Sequence, residues 1–516
     1  MQFHVPFDSY CLRYATKSDA LYYALKDGIV EGVWPRGTRL PSTRELAGQL
    51  SLSRGTVSAV YETLAAEGYV SSKVGQGTVI VYQSGVGRAE EPMARPELRL
   101  TAWASRLERL HGDAARAGGR AGVAGGTGDS LSTNVFEVTG ASPCHASRPK
   151  TIDFSKGHTD MSLFPDSEWS KWMHTSVRAS LHRTDDERSS RQQVTAQGSL
   201  SLREAIAAYL GRARGMRVKA EQVAIVHGSM QAIALIVQLM LEEGDAAVVE
   251  TPGYSGIRRS IRAAGGRLLE GSLDEQGIVP ADWDARLLFV TPSRQFPTGV
   301  VLSLERRQAL LAWAARRGAV IVEDDYDSEF RHKGRSLEPL QVLDRDGRVI
   351  YVGSFTKTMP PGLRIGYAVL PERLVAPFVM GQSLYEPYPA NALEQQALAA
   401  FMTSGGYERH LRRMKRVYSR RYEALSGLLS DRLVDRFEWV PSDAGLHLFG
   451  WWRGTEQAYI AYRDACRRRG VYWAETVVQE AGTEEARWGA YFHFSDVEEA
   501  EMREAIDRIV GMQGVN

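Results

Sequence analysis

The sequence predicts a multidomain chain: a small N-terminal winged helix-turn-helix, a linker, and a large C-terminal α/β domain with a mostly parallel sheet. Three observations carry this. Residues 1–82 hold short capped helices followed by a hairpin pattern. Residues 83–150 are crowded with Gly, Ala, Ser and Thr. From 151 to 516, short apolar runs alternate with helical periodicity.

At 516 residues the chain exceeds one ordinary domain, and 43% hydrophobic content fills a sizeable core. A formal charge of +1 excludes a strong global basic field. Cys11, Cys144 and Cys466 lie far apart without metal-ligand spacing, which suits a reducing compartment and predicts no metal. Met1 to Tyr10 has no basic segment followed by an apolar core, so no signal peptide is read there. The longest apolar stretch, Ala232 to Leu241, is broken by Gln238 and too short to span a bilayer. The expectation is a cytoplasmic protein with no membrane partner.

Within 1–82, Ser18 precedes a helical run with Leu21, Leu25 and Ile29 on one face, and Trp34-Pro35-Arg36-Gly37 breaks it. Ser42-Thr43-Arg44-Glu45 is a capping box that opens a short helix through Leu46 and Leu50. Ser53 caps the next helix, with Val57, Val60, Tyr61 and Leu64 at i, i+3, i+4 and i+7, and Gly68 ends it. Runs 69–73 and 78–82 flank Val74-Gly75-Gln76-Gly77 as a hairpin. A recognition helix enters the major groove by its N-terminal end, which here presents Arg54, Gly55, Thr56 and Ser58 behind Ser53. Arg54 suits a guanine edge or a phosphate, and Gly55 permits close backbone approach. Lys73 and Gln76 are placed at the wing. Eight basic against seven acidic residues leave this module at +1, so one copy alone binds DNA weakly and pairing of two modules is expected to help. On pattern alone a helical protein-interaction domain remains the alternative.

Leu40-Pro41-Ser42-Thr43-Arg44-Glu45-Leu46-Ala47, Leu52-Ser53-Arg54-Gly55-Thr56-Val57 and Tyr61-Glu62-Thr63-Leu64-Ala65-Ala66-Glu67-Gly68-Tyr69 closely resemble the GntR winged-helix repressors. The resemblance covers most of 18–82. It implies double-stranded promoter DNA as partner, with contacts at Arg44, Arg54, Thr56 and the wing Gly75-Gln76-Gly77.

In 83–150, six glycines fall within the eleven positions 118–128. Such composition cannot bury enough apolar surface to offset its ordering entropy, and reads as a flexible tether. A short helix is expected over Arg99 to Arg109.

In the body, strand Val223–Val226 runs into His227-Gly228-Ser229-Met230-Gln231, a glycine turn opening a helix, where free amides favour a phosphate. Strand Ala246–Glu250 leads to Tyr254, placed to stack on a flat ring or simply to pack. Strand Leu287–Val290 leads to Pro292-Ser293-Arg294-Gln295-Phe296-Pro297-Thr298-Gly299. Strand Ala319–Val322 leads to Glu323, Asp324, Asp325, Asp327 and Glu329. Five carboxylates with no histidine beyond His332 fit a partner for a pyridinium nitrogen better than a metal. Asp324 stands nearest the strand end, with Asp325, Asp327 and Glu329 left as a solvated or ion-paired loop. Strand Val349–Val352 stops at Gly353, delivering Ser354, Thr356 and Lys357 before Arg364. Desolvation lowers a lysine pKa and readies its amine for a carbonyl.

These features together resemble the large domain of fold-type I pyridoxal 5'-phosphate (PLP) enzymes, the aspartate aminotransferase superfamily. The resemblance implies a Schiff base at Lys357, Asp324 on the pyridine nitrogen, Tyr326 on the ring oxygen and Tyr254 stacked on the ring. Ser229, Met230, Ser354, Thr356 and Arg364 would surround the phosphate. A winged helix joined to this body is similar to the MocR subgroup of GntR regulators. That implies a PLP-dependent sensor working as a head-to-tail homodimer, with PLP itself, a small amine, an amino acid or a peptide as effector. True aminotransferases place an asparagine where Phe296 stands. Where they carry a carboxylate-clamping arginine, His493 is found, with Arg487 the nearest alternative. No catalytic residue is assigned. An active aminotransferase with an appended interaction domain, and a cofactor-free scaffold, are the competing readings.

Overall fold

The computed structural model describes residues 4–73, 77–82, 101, 151–181, 194–334, 337–479 and 486–511. The N-terminal unit has helices Phe7–Cys11, Lys17–Val30, Thr43–Gln49 and Arg54–Ala66, then strands Val70–Lys73 and Gly77–Ile80. The strands pair antiparallel with Val70 opposite Ile80. Leu21, Leu25, Ile29, Leu46, Val57, Val60 and Leu64 form its core, as the helical spacing requires. Ser42 and Ser53 cap their helices, accepting the Glu45 amide at 3.2 Å and the Thr56 amide at 3.0 Å. The first long helix is capped by Thr16 rather than Ser18. Thr16 has the extended backbone a cap needs and accepts the Asp19 amide at 3.1 Å. Helix Phe7–Cys11 is an addition to the sequence reading, and Val5 and Phe7 are buried in the same core.

The large domain is built on an eight-stranded sheet in the order 223–226, 366–369, 349–354, 320–325, 287–290, 246–251, 267–274, 277–278. Its central strands are parallel, and Gly366–Val369 runs antiparallel to both neighbours. Alternate residues feed opposite faces: Ala247, Val249, Leu287, Phe289, Val320 and Val322 one side, Val248, Leu288, Val290 and Ile321 the other. Burial on both faces is why these strands read as unbroken apolar runs. Helix Ser229–Met240 packs on the first face.

One strand exceeds its expected length. Val320–Asp325 continues through Glu323, Asp324 and Asp325, and all six residues are buried. Partners make this tolerable. Glu323 accepts the amides of Leu340 and Gln341, both at 2.9 Å. Asp325 takes Arg214 at 2.6 Å and the Tyr351 hydroxyl at 2.5 Å. Asp327 takes Arg294 at 3.2 Å. Asp325 is thus a buried, ion-paired strand residue, and Asp327, just past the strand end, is buried and ion-paired rather than solvated.

A five-stranded sheet forms the second half of the body, in the order 437–439, 447–452, 486–493, 471–479, 152–154. Helices Gly406–Arg432, Glu456–Arg468 and Glu499–Val510 accompany it. Strand Ile152–Phe154 comes from the start of the body and pairs parallel with Val471–Trp473.

The winged helix rests against the body. Lys26 pairs with Glu338, whose other oxygen accepts the Tyr69 hydroxyl at 2.8 Å. Arg217 reaches Asp27 at 3.2 Å, and Arg345 donates to the Val30 carbonyl at 2.8 Å. Inside the expected tether, Thr101 is buried, its amide donating to the Leu239 carbonyl at 3.1 Å. That position is therefore anchored on the body. The rest of the helix expected over 99–109 lies outside the described residues.

Candidate functional site

The structure places the residues named from sequence in two groups. On the winged helix, Ser53, Arg54 and Gly55 are exposed at the N-terminus of Arg54–Ala66, with Thr56 and Ser58 half-buried behind them. Arg44 is exposed on the preceding helix. Thr56 shares a hydroxyl contact with Ser53 at 2.8 Å, and Ser58 donates to Glu62 at 3.2 Å. A Cβ at Gly55 would meet only the Ser53 hydroxyl, at 3.8 Å, so packing within the protein does not require glycine there. Lys73 pairs with Gly77 at the wing, while Gly75 and Gln76 lie outside the described residues. Gly77 has φ +78, and its missing side chain leaves room for the guanidinium of Arg39, 2.7 Å from where a Cβ would stand. Arg39 is an exposed wing cation that the sequence reading missed. Its signal is weak: a lone bridge to Val79 from an irregular segment.

The second group gathers at the ends of the large-domain strands. Asp324 lies opposite Val352 and Asp325 opposite Gly353, so the acid-bearing strand is the direct neighbour of the one leading to Lys357. Ser354 then lies opposite Gly366, and Gly366 opposite Val226. Three adjacent strand ends thereby bring Ser354, Arg364 and the turn Gly228–Ser229 into one corner. Ser354 and Thr356 hydroxyls are 2.7 Å apart. Gly228, at φ +84, would carry a Cβ 2.8 Å from the Arg364 guanidinium, so only glycine permits this approach. Arg364 itself has φ +48 and donates to the His227 carbonyl at 3.3 Å. Ser229 and Met230 open a 12-residue helix that starts directly after Gly228 in this corner and has no side-chain cap. Met230 also neighbours Tyr254, since a Cβ on Gly256 would meet both within 2.8 Å.

Asp324 Oδ1 is buried and has no hydrogen-bond partner among the described residues. Burial first, then Asp325, Glu250 and Asp327, push its pKa up to about 7. A protonated ring nitrogen is the kind of group that would satisfy such an oxygen. Lys357 Nζ donates to the Gly157 carbonyl at 2.7 Å. Burial pulls its pKa below the ordinary lysine value, against the attraction of Asp327 and Asp496. With a multi-donor corner, an orphaned carboxylate and a desolvated amine at neighbouring strand ends, the residues present fit PLP.

Aromatic rings cluster around Phe296 beside these groups. Phe296 sits edge-to-face with Tyr254 at 5.9 Å, Tyr326 at 5.6 Å, His447 at 5.7 Å and Tyr491 at 5.6 Å. The Tyr326 hydroxyl accepts from Arg294 at 3.0 Å. His493 lies with Lys357 around Gly157, where a Cβ would stand 2.7 Å from the imidazole and 3.2 Å from Nζ. Arg487 is not at this site. It stacks on Trp451 at 4.5 Å and pairs with Glu438 at 3.0 Å, on the far part of the small sheet. Tyr491, His447 and Arg294 were not singled out from sequence. For Tyr491 the available signal was its i, i+2 spacing from His493, which places both on one face of the strand.

Comparison with known proteins follows the same division. Residues 17–80 match the gntR family of bacterial regulatory proteins, and residues 164–509 match aminotransferase class I and II. A probable rhizopine catabolism regulatory protein MocR of Rhizobium meliloti is 34% identical over 492 residues, covering 95% of this chain and 92% of that one. The pyridoxine biosynthesis transcriptional regulator PdxR of Corynebacterium glutamicum is 30% identical, with 81% and 80% covered. The crystal structure of a Pyrococcus horikoshii kynurenine aminotransferase, complexed with PMP, superposes with a TM-score of 0.62 at 23% identity, over 70% of this chain and 90% of that one.

Proposed function

The chain belongs to the MocR group of gntR-family transcriptional regulators, and from that premise we propose that PLP, with an amine effector, sets how firmly its winged helix holds promoter DNA. The observation that carries the reading is the orphaned Asp324 Oδ1 on the strand beside the one that delivers Lys357. PLP, when bound, supplies an electrophilic carbon for amines and an electron sink. Asp324 would hold the ring nitrogen, Tyr254 would cover the ring, and Ser229, the Met230 amide, Ser354, Thr356 and Arg364 would hold the phosphate. Tyr326, its hydroxyl already taking an Arg294 N–H, would face the ring oxygen. Phe296 has no polar atom to assist it, which favours retention of a ligand over rapid turnover. Half-transamination without steady turnover is compatible with this arrangement.

A physical route joins this site to the DNA-binding module. Asp324 is preceded by Glu323, whose carboxylate caps the turn at Leu340 and Gln341. Two residues before that turn stands Glu338, the partner of Lys26 and Tyr69. A shift of the strand end on ligand binding would be transmitted through these contacts. It can be no larger than the ligand's differential affinity for the two arrangements. Arg44, Ser53, Arg54, Gly55, Thr56, Ser58 and the wing around Lys73, Gly75, Gln76 and Gly77 would meet DNA. We place the DNA-binding unit in 1–82, the tether in 83–150 and the sensor in 151–516, working as a cytoplasmic homodimer. No helix among the described residues is long and apolar enough to cross a membrane.

The test uses duplexes selected from a random library by the full-length protein. Their affinity is measured for cofactor-free and PLP-loaded protein and for Lys357→Ala. A PLP-dependent change that Lys357→Ala abolishes supports the reading. Equal affinities in all three refute it.

A further inference from the structure

Imidazole and phenol rings stand together beside Lys357. Tyr491 and His493 project from one face of strand Ala486–His493, beside His447. The three rings lie within 5.0 to 5.6 Å of one another, and Phe296 closes the cluster toward Tyr254. Both imidazoles are neutral on this geometry and burial. His447 Nε2 lies 2.8 Å from the Pro297 carbonyl and must donate, whereas its Nδ1 lies 3.2 Å from Arg294 Nη1 and must accept. An imidazolium could not do both. His493 is held down to about 3, chiefly by burial and then by Lys357 and Arg294.

Arg294 is a guanidinium at this wall of rings, and all three of its nitrogens donate within the protein: Nε to Ser442, Nη1 to Tyr326 and Asp327, Nη2 to the His447 carbonyl. What the wall does offer is a lone pair, because the neutral His493 ring donates its one N–H to the Leu446 backbone and leaves Nδ1 an acceptor. His493 Nδ1 is buried, has no hydrogen-bond partner among the described residues and stands with Lys357 Nζ around Gly157. A carboxylate placed there would meet ring carbons and an acceptor, losing its hydration for nothing. An N–H or O–H group would satisfy the orphaned nitrogen, and C–H groups or a ring would pack edge-to-face on Phe296 and Tyr491.

We propose that this pocket takes a primary amine without a carboxylate, one that presents a hydrogen-bond donor to His493 and an uncharged body to the Phe296–Tyr491 wall. The proposal rests on the reading of Lys357 and Asp324 above and adds the ligand class.

The experiment uses full-length PLP-loaded protein and matched pairs that differ only by a carboxylate: ethanolamine against L-serine, 2-phenylethylamine against L-phenylalanine, tyramine against L-tyrosine. Visible absorbance and thermal midpoint are followed during titration. The expected result is that in every responding pair the amine acts at a concentration at least about tenfold lower. His493→Arg, or Tyr491→Arg if that variant fails to fold, is expected to move the preference toward the amino acid. An amino acid that matches or beats its amine in any pair, or no response to any amine, overturns the proposal. Failure to take up PLP at all would instead overturn the reading of Lys357 and Asp324, and is seen in the first spectrum.

Discussion

Lys26 of the winged helix and Glu338 of the body form an ion pair whose side chains are only 5% and 9% exposed. Removing one member of a buried pair strands the other and costs about 3–5 kcal/mol, while replacing both with apolar groups is often neutral. Lys26→Met should therefore loosen the winged helix from the body, seen as faster proteolysis between the two units and a lower thermal midpoint. Adding Glu338→Met should restore part of the midpoint, the remainder being the Tyr69 hydroxyl left without its acceptor. If the pair belongs to the route from ligand to DNA, the double variant should still lack the PLP effect on DNA affinity.

Asp324→Asn keeps the shape of the side chain and removes the charge that would face a ring nitrogen. Loss of a charge-assisted hydrogen bond costs about 1.5–3 kcal/mol, so PLP affinity should fall roughly 10- to 100-fold in an absorbance titration. An unchanged affinity would show that the ring nitrogen lies elsewhere.

The same residue governs a pH effect in the cofactor-free protein. Burial raises Asp324, Glu250, Glu323 and Glu329 to about 7. Their folded pKa values lie above the unfolded ones, so the folded chain binds more protons between about 4 and 7. Their contribution to stability is fully present at the acid end and is lost as pH rises to about 7. Asp324→Asn removes one of the four. It should raise the thermal midpoint at pH 8 more than at pH 5, and equal gains at both would contradict the sign.

At the recognition helix, Gly55→Ala should leave the fold intact or stabilise it by up to ~1 kcal/mol, because helix propensity favours alanine and the Cβ position is clear. DNA binding should nevertheless weaken if, as proposed, that space receives the groove. Arg54→Ala should cost about 1–3 kcal/mol of DNA affinity if it reads a base, and should lower the salt slope by about one if it meets a phosphate. Circular dichroism and fluorescence anisotropy separate folding from binding in both variants.

Much of this was legible in the sequence because local rules decide it. Ser42 and Ser53 announced their helices by cap chemistry, and Val223–Val226 and Leu287–Val290 announced strands by unbroken apolar runs. Asp324 and Lys357 stood out because charged groups rarely follow buried strands without a partner. What stayed hidden depends on pairing distant in sequence. The burial of Asp325 needs Arg214, more than a hundred residues earlier, and that pairing carries the strand past Val322. Ile152–Phe154 belongs to a sheet whose other strands begin nearly three hundred residues later. The grouping of Tyr491, His447 and Phe296 is a product of sheet register and of the fold that carries the two halves of the body together.

The most direct measurement is the affinity of the full-length protein for its selected duplex with and without PLP, in wild type and in Lys357→Ala. Affinity in the wild type should change when PLP is added, and Lys357→Ala should show no such change while binding DNA as the cofactor-free wild type does. A wild type indifferent to PLP, or a Lys357→Ala variant that responds as the wild type does, would contradict it.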